Sequence, residues 1–289
     1  MQVQIQLLEN LDKKKNRRTN RVQNPKIWTI TLTPNSILHT HKGDISHNEI
    51  INLFNSQPEN NQNISSILTT SEGVYYQVLT PRLCDIMLAN PRGAAIIYPK
   101  DASQILMFGD IRSNQEVLEC GLGSGAMTLS LLEAVGKTGS VTSVEKREDF
   151  AKTASKNIKN YYNGQIPENW NLELIDFGEY LDKIISSNKI KYDRIVLDLL
   201  NPWDYLKQIY SIIKPGAIVS IYVTTTPQLQ SLSETIAKIN GEDPLKVKWT
   251  NIECFETIRR PWNLEKLSIR PEHQGILHSG FIITLRAVF

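Results

Sequence analysis

The stretch Glu116–Glu145, EVLECGLGSGAMTLSLLEAVGKTGSVTSVE, decides the fold. Val117 and Leu118 open it as a short buried strand. Gly121, Gly123 and Gly125 follow, so the backbone can turn sharply and approach a ligand without side chains in the way. Leu129, Leu132 and Val135 then recur at helical spacing until Gly136 and Gly139 end the helix. Val141 and Val144 begin a second strand that ends at Glu145, where a carboxylate can accept hydrogen bonds from both hydroxyls of a ribose. Strand, glycine turn, helix, strand and terminal acid predict a nucleoside-cofactor site in an α/β doubly wound sheet.

The glycines alone do not choose the cofactor. GLGSGA also fits the dinucleotide pattern G-x-G-x-x-G/A, with Ala126 in the last position. No Gly-Lys-Ser/Thr follows, which excludes a phosphate-cradling P-loop. Glu119, just before the first glycine, tips the choice. A carboxylate at the mouth of a pyrophosphate site would repel the phosphates, whereas S-adenosyl-L-methionine has no phosphate and carries an amino group and a sulfonium. The charge argument favours S-adenosyl-L-methionine, with a solvated strand-end residue as the plain alternative for Glu119. Cys120 adjoins the turn without an evident base and reads as a packing residue.

At 289 residues the chain has room for one sizeable α/β domain and a smaller module. No apolar run approaches a transmembrane length, and MQVQIQLLENLDKKK lacks the order of a secretory signal, so no membrane association is expected. Cys84, Cys120 and Cys254 are scattered and form no C-x-x-C pair, which favours a reducing cytoplasm over a disulfide framework or a cysteine zinc site. His39 and His41 would share a strand face, yet only Asp44 or His47 could add to them, so no metal is expected. Net charge is only +2, so any attraction to nucleic acid must be local. Lys13, Lys14, Lys15, Arg17, Arg18, Arg21 and Lys26 crowd one segment, either a solvated tail or an arm that touches phosphates. Arg259, Arg260 and Arg270, with Trp262 among them, suit RNA backbone and base contact or the capping of a sheet edge.

Three regions follow: a basic, disordered or phosphate-touching arm over 1–26, a small β domain over 27–80, and the α/β domain over 81–289. Residues 28–33, WTITLT, and the alternation of Val74, Tyr76 and Val78 supply strands of the β domain, separated by the polar loop at 55–66. RLCDIMLAN after Pro81 predicts a short helix. Beyond Glu145, Leu172 and Leu174 mark a strand ending at Asp176, and RIVLDLL (194–200) a buried one. Pro202 starts a helix expected to run to Lys214-Pro215-Gly216, and AIVSIYV forms the next strand. Thr226 is expected to cap a helix with Pro227 at its first position, and FIITLRAVF to close the sheet as an edge-side strand.

THKG (40–43), TTSEG (69–73), RGAAIIYPKDAS (92–103), LECGLGSG (118–125), LDLLNPW (197–203), KPG (214–216) and HSGF (278–281) occur in an order that resembles the tRNA (adenine-58-N1)-methyltransferase family. The resemblance runs from about His39 to Phe289, and its YPKD and LDL-x-x-PW elements are more specific than any glycine pattern. It implies a class I methyltransferase domain, Rossmann-like, behind a small N-terminal β domain. It further implies tRNA as partner, adenine N1 as target and a homo-oligomer, commonly a tetramer. Whether adenine 57 is also modified is left open. Carried onto matching positions, Gly121, Leu122, Gly123, Ser124 and Gly125 would line the cofactor, Glu145 would hold the ribose and Asp176 would face the adenine amino group. Asp198 resembles the family's catalytic aspartate, beside the cofactor, and Tyr98 would stack on or orient the target adenine. Asn201, where an acidic residue or proline is common, and the long loop at 55–66 are departures.

The chemistry agrees with that assignment. A neutral adenine N1 has a free lone pair, and its methylation leaves positive charge on the ring. A carboxylate that accepts a hydrogen bond from the exocyclic amino group would orient the base and stabilise that charge, and Asp198 stands at a strand end where open α/β sheets place such groups. Bland readings remain for each residue: a helix cap for Asp198, a strand end for Asp176, a core tyrosine for Tyr98. A small-molecule methyltransferase acting on a corrinoid precursor is the enzymatic rival. A non-catalytic RNA-binding subunit is the other, although such a subunit would be expected to lose the cofactor motif that is present here.

Overall fold

Gln2–Leu7, QVQIQL, alternates glutamine with apolar residues and forms β1, a period-two pattern suited to a strand buried on one face. β1 pairs antiparallel with β2 (Ile27–Thr31). A ribbon of β3 (Ile37–Thr40) and β4 (Gly43–Ser46) leads into α1 (His47–Asn55), whose N-cap Ser46 accepts from the Asn48 amide. β5 (Ser65–Thr69) and β6 (Tyr75–Leu79) complete a four-stranded antiparallel sheet in the order β2-β1-β6-β5. Its inner residues Val3, Tyr76 and Val78 close over Ile45 and Ile50. α2 (Leu83–Ala89) follows Pro81, as expected. The computed structural model describes residues 2–7, 27–56, 64–188, 192–242, 248–265, 268–273 and 275–289.

Two expectations change here. Residues 2–7 are not part of a loose arm: β1 lies between β2 and β6, with Val3 fully buried. The first unit also extends past residue 80 to Ala89 and takes in Asn160–Gly164 and Trp262–Pro271, so the division at 80/81 is displaced. The basic run from Lys13 to Lys26 and most of the loop at 55–66 lie outside the described residues.

The second unit is a seven-stranded sheet with helices. α3 (Pro99–Phe108) precedes β7 (Glu116–Cys120), α4 (Ala126–Val135), β8 (Ser140–Glu145), α5 (Glu148–Tyr161) and β9 (Trp170–Leu174). Next come α6 (Phe177–Ser186), β10 (Tyr192–Leu197), a 3-10 turn over Pro202–Tyr205, α7 (Leu206–Tyr210), β11 (Ile213–Val223), α8 (Thr226–Gly241) and β12 (Trp249–Phe255). The chain then makes a hairpin of β13 (Trp262–Glu265) and β14 (Ser268–Pro271), which clusters with the first unit, and returns as β15 (Phe281–Ala287). The sheet order is β12-β15-β11-β10-β7-β8-β9. Strands β7 to β11 are parallel, with Leu118, Val144, Ile195, Val219 and Ile221 in the core. The central β10 and the later part of β11 read as apolar runs because both faces are covered.

Three local expectations are corrected. The helix after Pro202 ends at Tyr210, and Lys214-Pro215-Gly216 instead forms an irregularity inside β11, where Tyr192 pairs with Ile213 but Arg194 pairs with Ile218. The cap of α8 is Thr225, one residue earlier than expected, because Gln228 completes a capping box with it. FIITLRAVF does not supply an edge strand. β15 runs antiparallel between β11 and β12, and β12 takes the edge.

Candidate active site

β7, β8 and β9 run to one side of the sheet and β10 and β11 to the other, so the order reverses between β7 and β10. Ligands of open α/β sheets bind at that reversal, outside the carboxyl ends of the strands. The three glycines of the turn after β7 divide the work. Gly121 has φ +96°, and a Cβ there would lie 2.1 Å from the Asp198 carbonyl oxygen. Only glycine lets the end of β7 touch the end of β10, where the Asp198 amide donates to the Cys120 carbonyl at 2.8 Å. Gly125 faces Ala154 and Ile158 of α5, which sets the helix packing. Gly123 is the one open to a ligand, since a Cβ there would meet nothing within 4 Å.

Glu119 is not at the mouth of the site. Its side chain is buried, with Oε2 accepting from Thr128 Oγ1 at 2.7 Å and Ser143 Oγ at 2.6 Å, while Trp170 Nε1 donates to Ser143 Oγ at 3.0 Å. Burial pushes its pKa up to about 7, opposed by the two hydroxyls and helped by the nearby acids Asp198 and Glu145. The solvated strand-end reading and the simple charge-at-the-mouth argument therefore both give way. Among the described residues, Oε1 of Glu119 and the hydroxyl of buried Ser124 have no hydrogen-bond partner. Two orphaned polar groups at a glycine turn fit a ligand that carries its own donors.

Glu145 ends β8 as expected, largely buried, with Oε1 accepting from the Arg147 amide at 2.9 Å. Asp176 spends one oxygen capping α6, accepting from the Gly178 amide at 2.9 Å, and its other oxygen lies 3.8 Å from Lys146 Nζ. Phe177 and Tyr205 pack edge to face beside it. Leu122 is a core residue rather than an exposed lining group. Cys120 is buried, and burial with the neighbouring Glu145 and Glu119 holds its thiol well above the ordinary range, so it is no nucleophile.

Asp198 follows the last residue of β10 and keeps partial exposure, yet desolvation raises its pKa to about 7. Tyr98 is half-buried at the N-cap of α3, with no side-chain cap bond. Tyr222, on β11, lies close enough to Ser279, Asp101, Asp198 and Tyr98 for all four to act on its hydroxyl, and burial raises its pKa to about 12. His278 is exposed and holds Glu256 through Nδ1 (2.8 Å) and the Thr224 carbonyl through Nε2 (3.2 Å), contacts that raise its pKa.

The profile described as tRNA methyltransferase complex GCD14 subunit matches residues 73–278, well over half of the chain. The chain belongs to the GCD14 family. It is similar to the tRNA (adenine(58)-N(1))-methyltransferase TrmI of Thermus thermophilus, 28% identical over 254 residues that span 86% of this chain and 88% of the relative. Among solved structures it resembles a SAM-dependent O-methyltransferase from Thermotoga maritima, with TM-score 0.77, 26% identity, and 100% and 93% of the two chains covered. It also resembles the tRNA (m1A58) methyltransferase TrmI from Aquifex aeolicus, with TM-score 0.73, 25% identity, and 100% and 97% covered. The fold is thus the class I methyltransferase fold.

In this GCD14 family member the fold brings Glu119, the glycine turn, Glu145 and Asp198 to one end of the sheet, and places Asp176 at the end of β9 and Tyr98 at the start of α3. Among the described residues no cluster of three histidine, cysteine or acidic side chains could hold a metal, and His39 pairs with Asp44 instead. No described helix is long and apolar enough to cross a membrane. Sequence reasoning missed Thr128 and Ser143, which hold Glu119, because buried hydroxyls leave no spacing signal. It also missed the bonds that Lys100, Asp101 and Ser279 make with one another, next in the chain to Tyr98. YPKD and HSGF were both visible as motifs, but nothing in their spacing says that they meet.

Proposed function

We propose that this chain is an S-adenosyl-L-methionine-dependent tRNA methyltransferase that modifies N1 of adenine 58. The observation that carries the reading is the contact of Gly121 with Asp198, which joins the glycine turn to the carboxylate at the reversal of the sheet. Gly123 and Ser124 would hold the methionine and ribose portions, Glu145 the ribose hydroxyls and Asp176 the adenine end. Glu119, with its orphaned Oε1, offers an acceptor to a donor-bearing ligand, and Glu119 and Glu145 together suit a cationic one. When bound, S-adenosyl-L-methionine supplies a methyl group activated by positively charged sulfur.

The protein's own part is to hold and stabilise. Asp198, deprotonated, accepts from the N6 amino group of the target adenine, turns N1 toward the cofactor and balances the charge that grows on the ring. Its partial desolvation makes that interaction stronger than in water. Tyr98 offers a ring face to the extruded base, a contact worth on the order of 1–3 kcal/mol. Exposed Arg259 and Arg260 fit phosphate contacts outside the pocket. The exposed Leu264 and Ile269, paired across the β13–β14 hairpin, support assembly of several copies, a tetramer by the family resemblance. A cytoplasmic location agrees with a tRNA substrate.

The test is nucleoside mass analysis of unmodified tRNA incubated with the protein and S-adenosyl-L-methionine. N1-methyladenine at position 58 is the expected product, and its position separates 58 from 57. Methylation of a small molecule with none in tRNA would overturn the reading.

A further inference from the structure

YPKD and HSGF meet in the interior. Lys100 and Asp101 stand in the first turn of α3, directly after Tyr98, with side chains only 7% and 0% exposed. Lys100 Nζ donates to Asp101 Oδ1 (2.8 Å), the Thr257 carbonyl (2.7 Å) and Ser279 Oγ (2.5 Å). Ser279 Oγ in turn donates to Asp101 Oδ2 at 2.6 Å. An ammonium has three protons to give, and all three are placed; both carboxylate oxygens are matched. A buried ion pair adds little stability over an apolar pair of equal volume, so stability alone does not account for this one. What such a closed set of directional bonds does supply is geometry.

Its bonds reach the base side of the site by two routes. Along the chain, the amides of Asp101 and Ala102 donate to the Tyr98 carbonyl at 2.8 and 2.9 Å, so anchoring the first turn of α3 anchors Tyr98. Across the sheet, Gly280 lies flat against Tyr222: a Cβ at 280 would be 2.4 Å from Tyr222 Cζ. Tyr222 belongs to β11, where its neighbour Ile221 pairs with Leu197, the residue before Asp198. Ser279 and Gly280 therefore bear on Tyr222, one strand over from the end of β10 where Asp198 follows, while Lys100 and Asp101 fix the turn that carries Tyr98.

We propose that Lys100, Asp101 and Ser279 form a latch that sets Tyr98 against Asp198, acting as positioning residues for the methyl-transfer step. The proposal rests on the reading of Tyr98 as a contact to the target adenine. The latch never touches substrate; its effect passes through Tyr98.

A double-mutant cycle in the full-length protein tests this, with single-turnover methyl transfer, tRNA affinity, cofactor affinity and melting temperature measured for each variant. Ser279→Ala removes one hydroxyl and leaves Lys100 and Asp101 paired. Its single-turnover rate is expected to fall about 10- to 100-fold, the size typical of a small misplacement, with tRNA and cofactor affinities within about twofold of the parent. Ser279→Thr, which keeps the hydroxyl, should recover most of the rate. In a Tyr98→Ala background Ser279→Ala should cost almost nothing more, because both changes disable one device. Losses that multiply instead would overturn the latch while leaving Tyr98 in the site. Normal turnover by Tyr98→Ala alone would instead remove Tyr98 from the reaction. Should Ser279→Ala fail to fold, the paired change Lys100→Met with Asp101→Leu, which leaves no unpaired charge, enters the same cycle with the same expected outcomes.

Discussion

The two sides of the crevice are assembled in different ways. On the β7–β8–β9 side, the glycine turn, Glu145 and Asp176 come from one run of chain, each acid ending its strand or opening the next helix. On the β10–β11 side, Tyr98, Asp198, Tyr222 and Ser279 come from four separate segments, and the bond from Ser279 to Asp101 joins residues 178 positions apart. The first side follows from local rules of strand, turn and cap. The second exists only once the sheet has closed. On the proposed reading, cofactor binding is thus a local property of this chain and the choice of base a global one.

That contrast can be broken most sharply at Asp198. Asp198→Ala should lower methyl transfer by about 100-fold or more while leaving cofactor affinity nearly intact, since the loss falls on the second side alone. Parallel single-turnover assays and calorimetry check it, and a matching loss of cofactor affinity would mean the sides are not separable. Gly121→Ala probes the seam. A side chain at φ +96° aimed at the Asp198 carbonyl should destabilise the fold by about 2–4 kcal/mol, visible in denaturant titration, and should impair both sides together. Smallest is a pH effect confined to the first side. The Glu119 pKa is about 7 in the fold against an ordinary 4.5, so folding favours the protonated acid. Its contribution to stability is complete below about 4.5 and is lost as pH rises through 7. The ligand-free Glu119→Gln protein should therefore match the parent near pH 4.5 and exceed its stability above pH 7 by about 3 kcal/mol. Melting curves across that range check it; a gap that stays constant would mean that Glu119 is not desolvated.

The legible parts of the sequence were those with local causes. β7, α4 and β8 follow from the apolar period and the glycines, and the acids at 145 and 198 from their strand ends. QVQIQL carried a strand signal as plain as any, but its nearness to the basic run hid it. The cap of α8 moved by one residue because Gln228 selects Thr225, a reciprocal bond that a search for the residue before proline overlooks. β12 went unnoticed because an edge strand with exposed Ile252, Glu253 and Cys254 shows neither a clean alternation nor a buried run. The contact of Gly121 with the end of β10 is hidden for a different reason: a glycine that admits a ligand and one that admits another strand look alike until the second strand is in place. Neither the latch nor the burial of Glu119 could be read from spacing.

The placement of β15 between β11 and β12 bears on how the protein is made. During synthesis β12 emerges before the strand it must pair with, and β11 has only β10 as partner until residues 281–287 arrive. Two strand edges stay open through the delivery of the intervening segment, a form of exposure that invites association with other nascent chains. The segment that leads into this late strand brings Ser279, so Lys100 and Asp101 gain their shared hydroxyl only when the chain is nearly finished.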